Sequence, residues 1–186
     1  LAARYWPGPL TLVLPDRGGA EVGLRLPAHA FAQRVIAACG KSLFLTSVNR
    51  SGEPALLTPD AIAAGFCDRI DLLCDTGPPP LQLSSTVVRV DARGIEVLRE
   101  GILTRDEVLA TAAATVMFVC TGNTCRSPMA EVLARKLAAE RLGLEPTALI
   151  SRGLRFVSAG LAAGFGEPAS EGALAAAAEV GCNLDG

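Results

Sequence analysis

One histidine, one tryptophan and one tyrosine occur in 186 residues, and aromatics make up only 4% of the chain. The lone His29 has no cysteine or acidic cluster at ligand spacing beside it, which excludes a metal centre built on it. Long apolar runs are missing too. None approaches the ~18 residues needed to span a bilayer, and the N-terminus lacks the basic-then-apolar order of a signal peptide. Lysine and arginine never cluster, and the formal net charge is −2. Charge therefore offers no non-specific nucleic-acid or membrane surface, only room for a local basic cleft. There is no internal repeat and no low-complexity tract beyond an alanine richness that reflects composition rather than function. Apolar residues make up 50% of the chain against 19% charged, which excludes disorder and supplies a core. Six cysteines (Cys39, Cys67, Cys74, Cys120, Cys125, Cys182) are spread among strand and helix patterns. They read as ordinary thiols rather than a disulfide framework, and a reducing, cytoplasmic setting follows.

Strand and helix patterns alternate along the first hundred residues. Strands are predicted at 10–14, 22–26, 43–49, 70–74, 85–90 and 95–99, with a helix at 28–39 stopped by Gly40. Thr58 and Pro59 open a second helix as N-cap and first helical residue. Thr104 and Glu107 have capping-box spacing at the head of a bridging helix, so a domain boundary is expected near 105–115. A second unit reads as strand 116–119, loop 120–126, helix 127–142, strand 155–158 and helix 170–180. That βαβα order signals a parallel sheet, and the whole chain is α/β.

Residues 116–131, VMFVCTGNTCRSPMAE, carry the clearest chemistry. An apolar strand ends at Cys120, and a helix opens with Arg126, Ser127 and Pro128. A free thiol titrates near ~8.5, and a helix N-terminus with a nearby arginine lowers that. Backbone N–H groups of Thr121, Gly122, Asn123, Thr124 and Cys125 can turn inward as a cradle for a tetrahedral oxyanion. Gly122 is expected to supply the freedom for the tight turn, and Arg126 a planar fork for two phosphate oxygens. Ser127 is expected to cap the helix and donate to the Cys120 thiolate, with Pro128 at the first helical position. The implied reaction is attack by Cys120 on phosphorus, giving a cysteinyl-phosphate that water hydrolyses.

CTGNTCRSPMAE closely resembles the signature of low-molecular-weight protein tyrosine phosphatases and their bacterial relatives, and Ser158-Ala159-Gly160 resembles the family's next segment. The resemblance covers 115–186, about half of such a domain. It implies Cys120 as nucleophile, Arg126 as transition-state ligand, and Asn123 and Ser127 as stabilisers of loop and thiolate. Cys125 matches a second cysteine that in many members forms a protective disulfide with the nucleophile. Thr124 resembles the protein-arginine phosphatases, where tyrosine-specific members carry an apolar residue, so phosphotyrosine and phosphoarginine both stay open. No cofactor is implied. The family's general acid is an aspartate in a downstream Asp-Pro motif, and Asp185 in NLDG lacks that context.

Polar residues also mark the strand ends of the first unit, as in open α/β sheets that line a ligand cleft. WPGPLT (6–11), Arg25 before Leu26-Pro27, the Thr46-Ser47-Val48-Asn49-Arg50-Ser51-Gly52 loop, Ser85-Thr86-Val87 and Arg99 recur in this order. Together they resemble the C-terminal half of the threonylcarbamoyl-adenylate synthase family (YrdC-type domains) over about 1–108. That family condenses L-threonine, bicarbonate and ATP, with Mg²⁺ on the phosphates, in making an intermediate for a tRNA modification, so tRNA is only an indirect partner. The resemblance implies Arg25 on the threonine carboxylate, Ser85 on the threonine side, and Ser47, Asn49 and Arg99 at the nucleotide. Val48 stands where alanine is more usual, and a basic, phosphate-handling segment is expected upstream of Leu1. CGKS (39–42) is no Walker A loop, because that motif needs glycine where Val35 stands.

The expected whole is a stretch of a fusion protein: an open, twisted YrdC-like sheet at 1–108, then a parallel sheet with a phosphate-binding loop at 115–186. No metal site and no membrane partner are expected; a phosphorylated protein would be the second unit's substrate. A phosphatase with a nucleotide- or RNA-binding first unit, or a non-catalytic phosphate-binding fragment, are the alternatives.

Overall fold

The structure is a computed structural model, and it describes residues 1–50, 52–77 and 83–184. Ser51 of the expected nucleotide loop, 78–80 of the DTGPPP loop and Asp185 lie outside the described residues. In chain order the elements are α1 (Ala2–Tyr5), β1 (Leu10–Pro15), β2 (Glu21–Leu24), α2 (Ala30–Cys39), α3 (Pro59–Phe66), β3 (Thr86–Asp91) and β4 (Gly94–Arg99). They continue as α4 (Arg105–Ala112), β5 (Ala114–Cys120), α5 (Arg126–Leu142), β6 (Leu154–Gly160) and α6 (Glu171–Glu179).

The first unit is a four-stranded mixed sheet in the order β2-β1-β3-β4. β1 and β3 run parallel, with Leu10 opposite Thr86 and Leu12 opposite Val88. Period-two alternation sends Leu10, Leu12 and Val88 to one face, where Leu103 and Val108 join them as the core. Burying each of these side chains contributes roughly 1.5–3 kcal/mol. α4 supplies Val108 to that cluster, so the bridging helix packs as part of the first unit. Its capping box forms as the spacing predicts, with the Glu107 carboxylate accepting from Thr104 N–H and Thr104 Oγ1 accepting from Glu107 N–H. The expected Thr58 cap and the Gly40 stop, at φ 63°, are also present.

Two expected strands do not form. Residues 43–49 are irregular, with Phe44 and Leu45 exposed, and 70–74 are likewise outside the sheet. An apolar run becomes a strand only when a neighbouring edge completes its ladder. Among the described residues the sheet closes at four strands without either segment. Arg25 was expected inside a strand; it lies just beyond β2, whose four residues are all exposed.

The second unit pairs β5 and β6 in parallel, and the register sets Cys120 opposite Gly160. Helix α5 packs against both strands and ends at Gly143 in the left-handed conformation, where Leu144 N–H bonds back to Ala139 O at 2.9 Å. Only Ala113 separates α4 from β5. The β3–β4 turn meets the 3₁₀ turn Ile150–Arg152: a Cβ on Gly94 would lie 2.5 Å from Ser151 O, and the Arg152 guanidinium donates to Arg93 O. Among the described residues no helix is long and apolar enough to cross a membrane.

Candidate functional site

The loop between β5 and α5 gathers its predicted residues around one sulfur. Cys120 Sγ lies 2.9 Å from Ser127 Oγ and accepts from Asn123 N–H at 3.2 Å. Ser127 is 3% exposed, and its Oγ also lies within donating reach of Asn123 Oδ1 (2.8 Å) and Ala159 O (3.3 Å). A hydroxyl has one proton to give. When Cys120 is a thiol, its S–H donates to Ser127 Oγ and the hydroxyl proton points to Asn123. When Cys120 is a thiolate, the charge-assisted bond draws that proton to sulfur. The result is a thiol lowered from 9.0 to about 7, chiefly by the Ser127 side chain and then the Ser127 backbone amide, against a desolvation cost, with smaller help from the Asn123 and Gly122 amides.

Three expectations for this loop change. Ser127 does not cap α5; the helix begins at Arg126, so Cys125 stands at the N-cap with no side-chain cap bond, and Ser127, one residue inside the helix, turns its hydroxyl to the sulfur. Pro128 is accordingly the third helical residue rather than the first. The left-handed position belongs to Asn123 (φ 53°) and not to Gly122, since the short amide side chain tolerates that region and turns its N–H to the thiol.

The segment after β6 holds the loop from behind. Leu161 N–H donates to Cys120 O (2.9 Å) and Ala162 N–H to Thr121 O (2.8 Å). Those bonds occupy the Cys120 and Thr121 carbonyls from the side of the β6 segment. Gly160 makes the approach possible: a Cβ there would sit 2.7 Å from Ala163 Cβ and 2.9 Å from Asn123 N and Thr121 O. Arg126 is exposed at the loop's end, and among the described residues no carboxylate pairs with it. Cys125 is an exposed free thiol lowered by the Ser170 hydroxyl at 2.9 Å and then by Thr124, so Cys120 and Cys125 are both reduced in this structure.

A second polar cluster lies in the first unit. Thr11 Oγ1 and Ser85 Oγ are 2.9 Å apart, and Arg99 donates to Ser85 O at 3.0 Å. Arg25 Nε donates to Gly8 O, and its guanidinium is lowered by burial and then by the charge of Arg99. Two like charges that no carboxylate among the described residues pairs with, beside two hydroxyls, suit an anion. Thr11 was not singled out by the sequence; its place opposite Val87 in the β1–β3 register brings it to Ser85. Ser47 and Asn49 are not gathered here. Ser47 donates to Asn49 Oδ1, and Asn49 Nδ2 donates to the carbonyls of Arg50 and Glu53, which closes their own loop.

Comparison with known proteins divides the chain at the same place. The family model described as "Telomere recombination" (Sua5/YciO/YrdC) matches residues 1–101, and that described as "Low molecular weight phosphotyrosine protein phosphatase" matches residues 115–186. The threonylcarbamoyl-AMP synthase of Pyrococcus abyssi is 34% identical over 117 residues, 58% of this chain and 34% of that protein. The chain spans about a third of the length of this relative and of its Bacillus subtilis counterpart. Among solved structures, P. abyssi Sua5 complexed with L-threonine superposes with a TM-score of 0.54 at 22% identity, over 90% of this chain and 68% of that one. A YwlE mutant from Bacillus subtilis is 39% identical over 40% of this chain and 44% of that one, with a TM-score of 0.32.

Proposed function

The chain belongs to the Sua5/YciO/YrdC family through residues 1–101 and carries a low-molecular-weight phosphatase segment at 115–186, and on that premise we propose that it serves two chemistries. The second unit captures a phosphoryl group on Cys120, and the first takes part in making threonylcarbamoyl-AMP from L-threonine, bicarbonate and ATP.

The observation that carries the phosphatase reading is the Cys120 thiol, drawn down to about 7 chiefly by Ser127 at 2.9 Å, in a loop whose Arg126 pairs with no carboxylate among the described residues. The thiolate attacks phosphorus; the new S–P bond forms as the bond to the leaving group breaks, and the electron pair departs with that group. Amides 121–126 and the Arg126 guanidinium would hold the equatorial oxygens. Water then attacks the cysteinyl-phosphate, restoring the thiolate and releasing orthophosphate. The proposed substrate is a phosphorylated protein side chain, phosphotyrosine or phosphoarginine, with Thr124 beside the cradle as the residue that bears on the choice. No cofactor is needed. A cytoplasmic, reducing setting suits a nucleophile that works only with its sulfur reduced.

The test is single-turnover capture from 2,4-dinitrophenyl phosphate, whose leaving group departs without a proton. The expected result is one equivalent of dinitrophenolate and a phosphoryl group on the Cys120 peptide, both absent in Cys120→Ser. Phosphate on another residue, or none with the wild type, would contradict the reading.

For the first unit, support comes from the 34% identical threonylcarbamoyl-AMP synthase and from the Arg25–Arg99 arginines beside Thr11 and Ser85. The proposed roles are Arg25 for the threonine carboxylate, Ser85 with Thr11 for the threonine side, and Arg99, Ser47 and Asn49 for the nucleotide. Mg²⁺ would travel on the ATP phosphates, and tRNA would meet only the product. Threonine-dependent release of pyrophosphate from ATP by the natural protein is the assay, and its absence would leave the first unit as a binding module.

A further inference from the structure

Ser170 stands 50 residues beyond the nucleophile in sequence and is not used by the chemistry above, yet it makes two bonds to the edge of the loop and one to its own helix. Its N–H donates to Thr124 O at 2.8 Å, its Oγ lies 2.9 Å from Cys125 Sγ, and the same Oγ accepts from Ala173 N–H at 3.3 Å as the N-cap of α6. Cys125 is itself in an irregular conformation (φ −132°, ψ −82°), just before the first turn of α5. Leu161 and Ala162 secure the N-terminal end of the loop, at Cys120 and Thr121. The C-terminal end, at Thr124 and Cys125, is secured by Ser170. A loop fixed at both ends pays less conformational entropy when it closes on an anion.

We propose that Ser170 is a positioning residue for phosphoryl capture: from the head of α6 it fixes the Thr124–Cys125 end of the loop so that the amides entering α5 face the bound phosphate. The proposal rests on the cysteine-phosphatase reading. Helix capping alone would also explain a serine here, so the two roles must be separated by substitution. Ser170→Asn keeps a good cap, because its Oδ1 can accept from Ala173 N–H, but its longer side chain cannot place a hydroxyl against Cys125. Ser170→Thr keeps both contacts, and Ser170→Ala loses both.

The experiment is peptide-resolved alkylation of the full chain with iodoacetamide over pH 5.5–9.5, in a series of orthophosphate concentrations, alongside thermal unfolding. The orthophosphate concentration that half-protects Cys120 should rise roughly 2–10-fold in Ser170→Ala and Ser170→Asn, the value of one hydrogen bond, and stay within about twofold of wild type in Ser170→Thr. The pH midpoint of Cys125 alkylation should rise in the same two variants only. Unfolding temperature should fall in Ser170→Ala but not in Ser170→Asn. Wild-type phosphate protection in Ser170→Asn would overturn the proposal and leave Ser170 a helix cap. Wild-type Cys120 without any phosphate protection would instead refute the cysteine-phosphatase reading, and the proposal with it.

Discussion

Ser127→Ala separates the thiolate's stabilisation from the rest of the loop. The hydroxyl 2.9 Å from Cys120 Sγ is the largest of the causes that bring the thiol from 9.0 to about 7. Removing it leaves the Ser127, Asn123 and Gly122 backbone amides, so the midpoint should climb part of the way back toward 9.0. With a midpoint of about 7, roughly one tenth of Cys120 is thiolate at pH 6, and each unit of increase removes another tenfold. Peptide-resolved iodoacetamide rates at pH 6 should therefore drop about tenfold in the variant, while the alkaline plateau, where every thiol is ionised, stays within about twofold. Ser127 is 3% exposed, and alanine leaves the Asn123 side chain short of a donor, so thermal unfolding should be followed in parallel. An unchanged midpoint in a folded variant would refute the assignment of Ser127 as the main source of the thiolate. A plateau that collapsed at high pH would point to loss of loop geometry instead.

Further outcomes follow from other contacts. Gly160→Ala must push its Cβ away from Asn123 N and Thr121 O, both 2.9 Å away; it should cost about 1–3 kcal/mol in urea unfolding and slow Cys120 alkylation at pH 6, and wild-type behaviour in both would refute the tight-approach argument. L-Threonine should raise the unfolding temperature of the wild type and fail to do so in Arg25→Ala; a threonine shift retained in that variant would remove Arg25 from the carboxylate site. Stability should also depend on pH through Cys120. Its folded value of about 7 lies below the ordinary 9.0, so between these limits the unfolded chain holds a proton that the folded chain has released, and stability rises with pH. The unfolding temperature of wild type minus that of Cys120→Ser should increase from pH 7 to pH 9, and a decrease would mean the thiol is raised rather than lowered.

Local signals in the sequence read well where the physics is local. The Thr104–Glu107 box, the Thr58-Pro59 start and the Gly40 stop each depend on groups within four residues, and each forms. The Cys120–Ser127 pairing was legible for the same reason, because a strand end and the first helical turn are only seven residues apart. The misreadings are of another kind. Segment 43–49 has the composition of a strand, but composition does not say whether an edge is free to pair with it. Gly122 was the natural candidate for the left-handed position, yet Asn123 takes it, since the amide that must reach the sulfur is its own. Thr11 and Ser170 were invisible as site residues because their partners lie 74 and 45 residues away and meet them only through sheet register and helix packing. Gly160 was flagged only as part of the Ser158-Ala159-Gly160 segment; its close approach to Asn123 and Thr121 emerges from the β5–β6 register.

The most direct measurement is to label the wild-type chain briefly with iodoacetamide at pH 6, with and without orthophosphate, and quantify all six cysteines by peptide mass spectrometry. A low-titrating thiolate above an anion cradle predicts that Cys120 is labelled first and that orthophosphate selectively protects it. Uniform labelling of the six, or a Cys120 that orthophosphate leaves fully reactive, would contradict it.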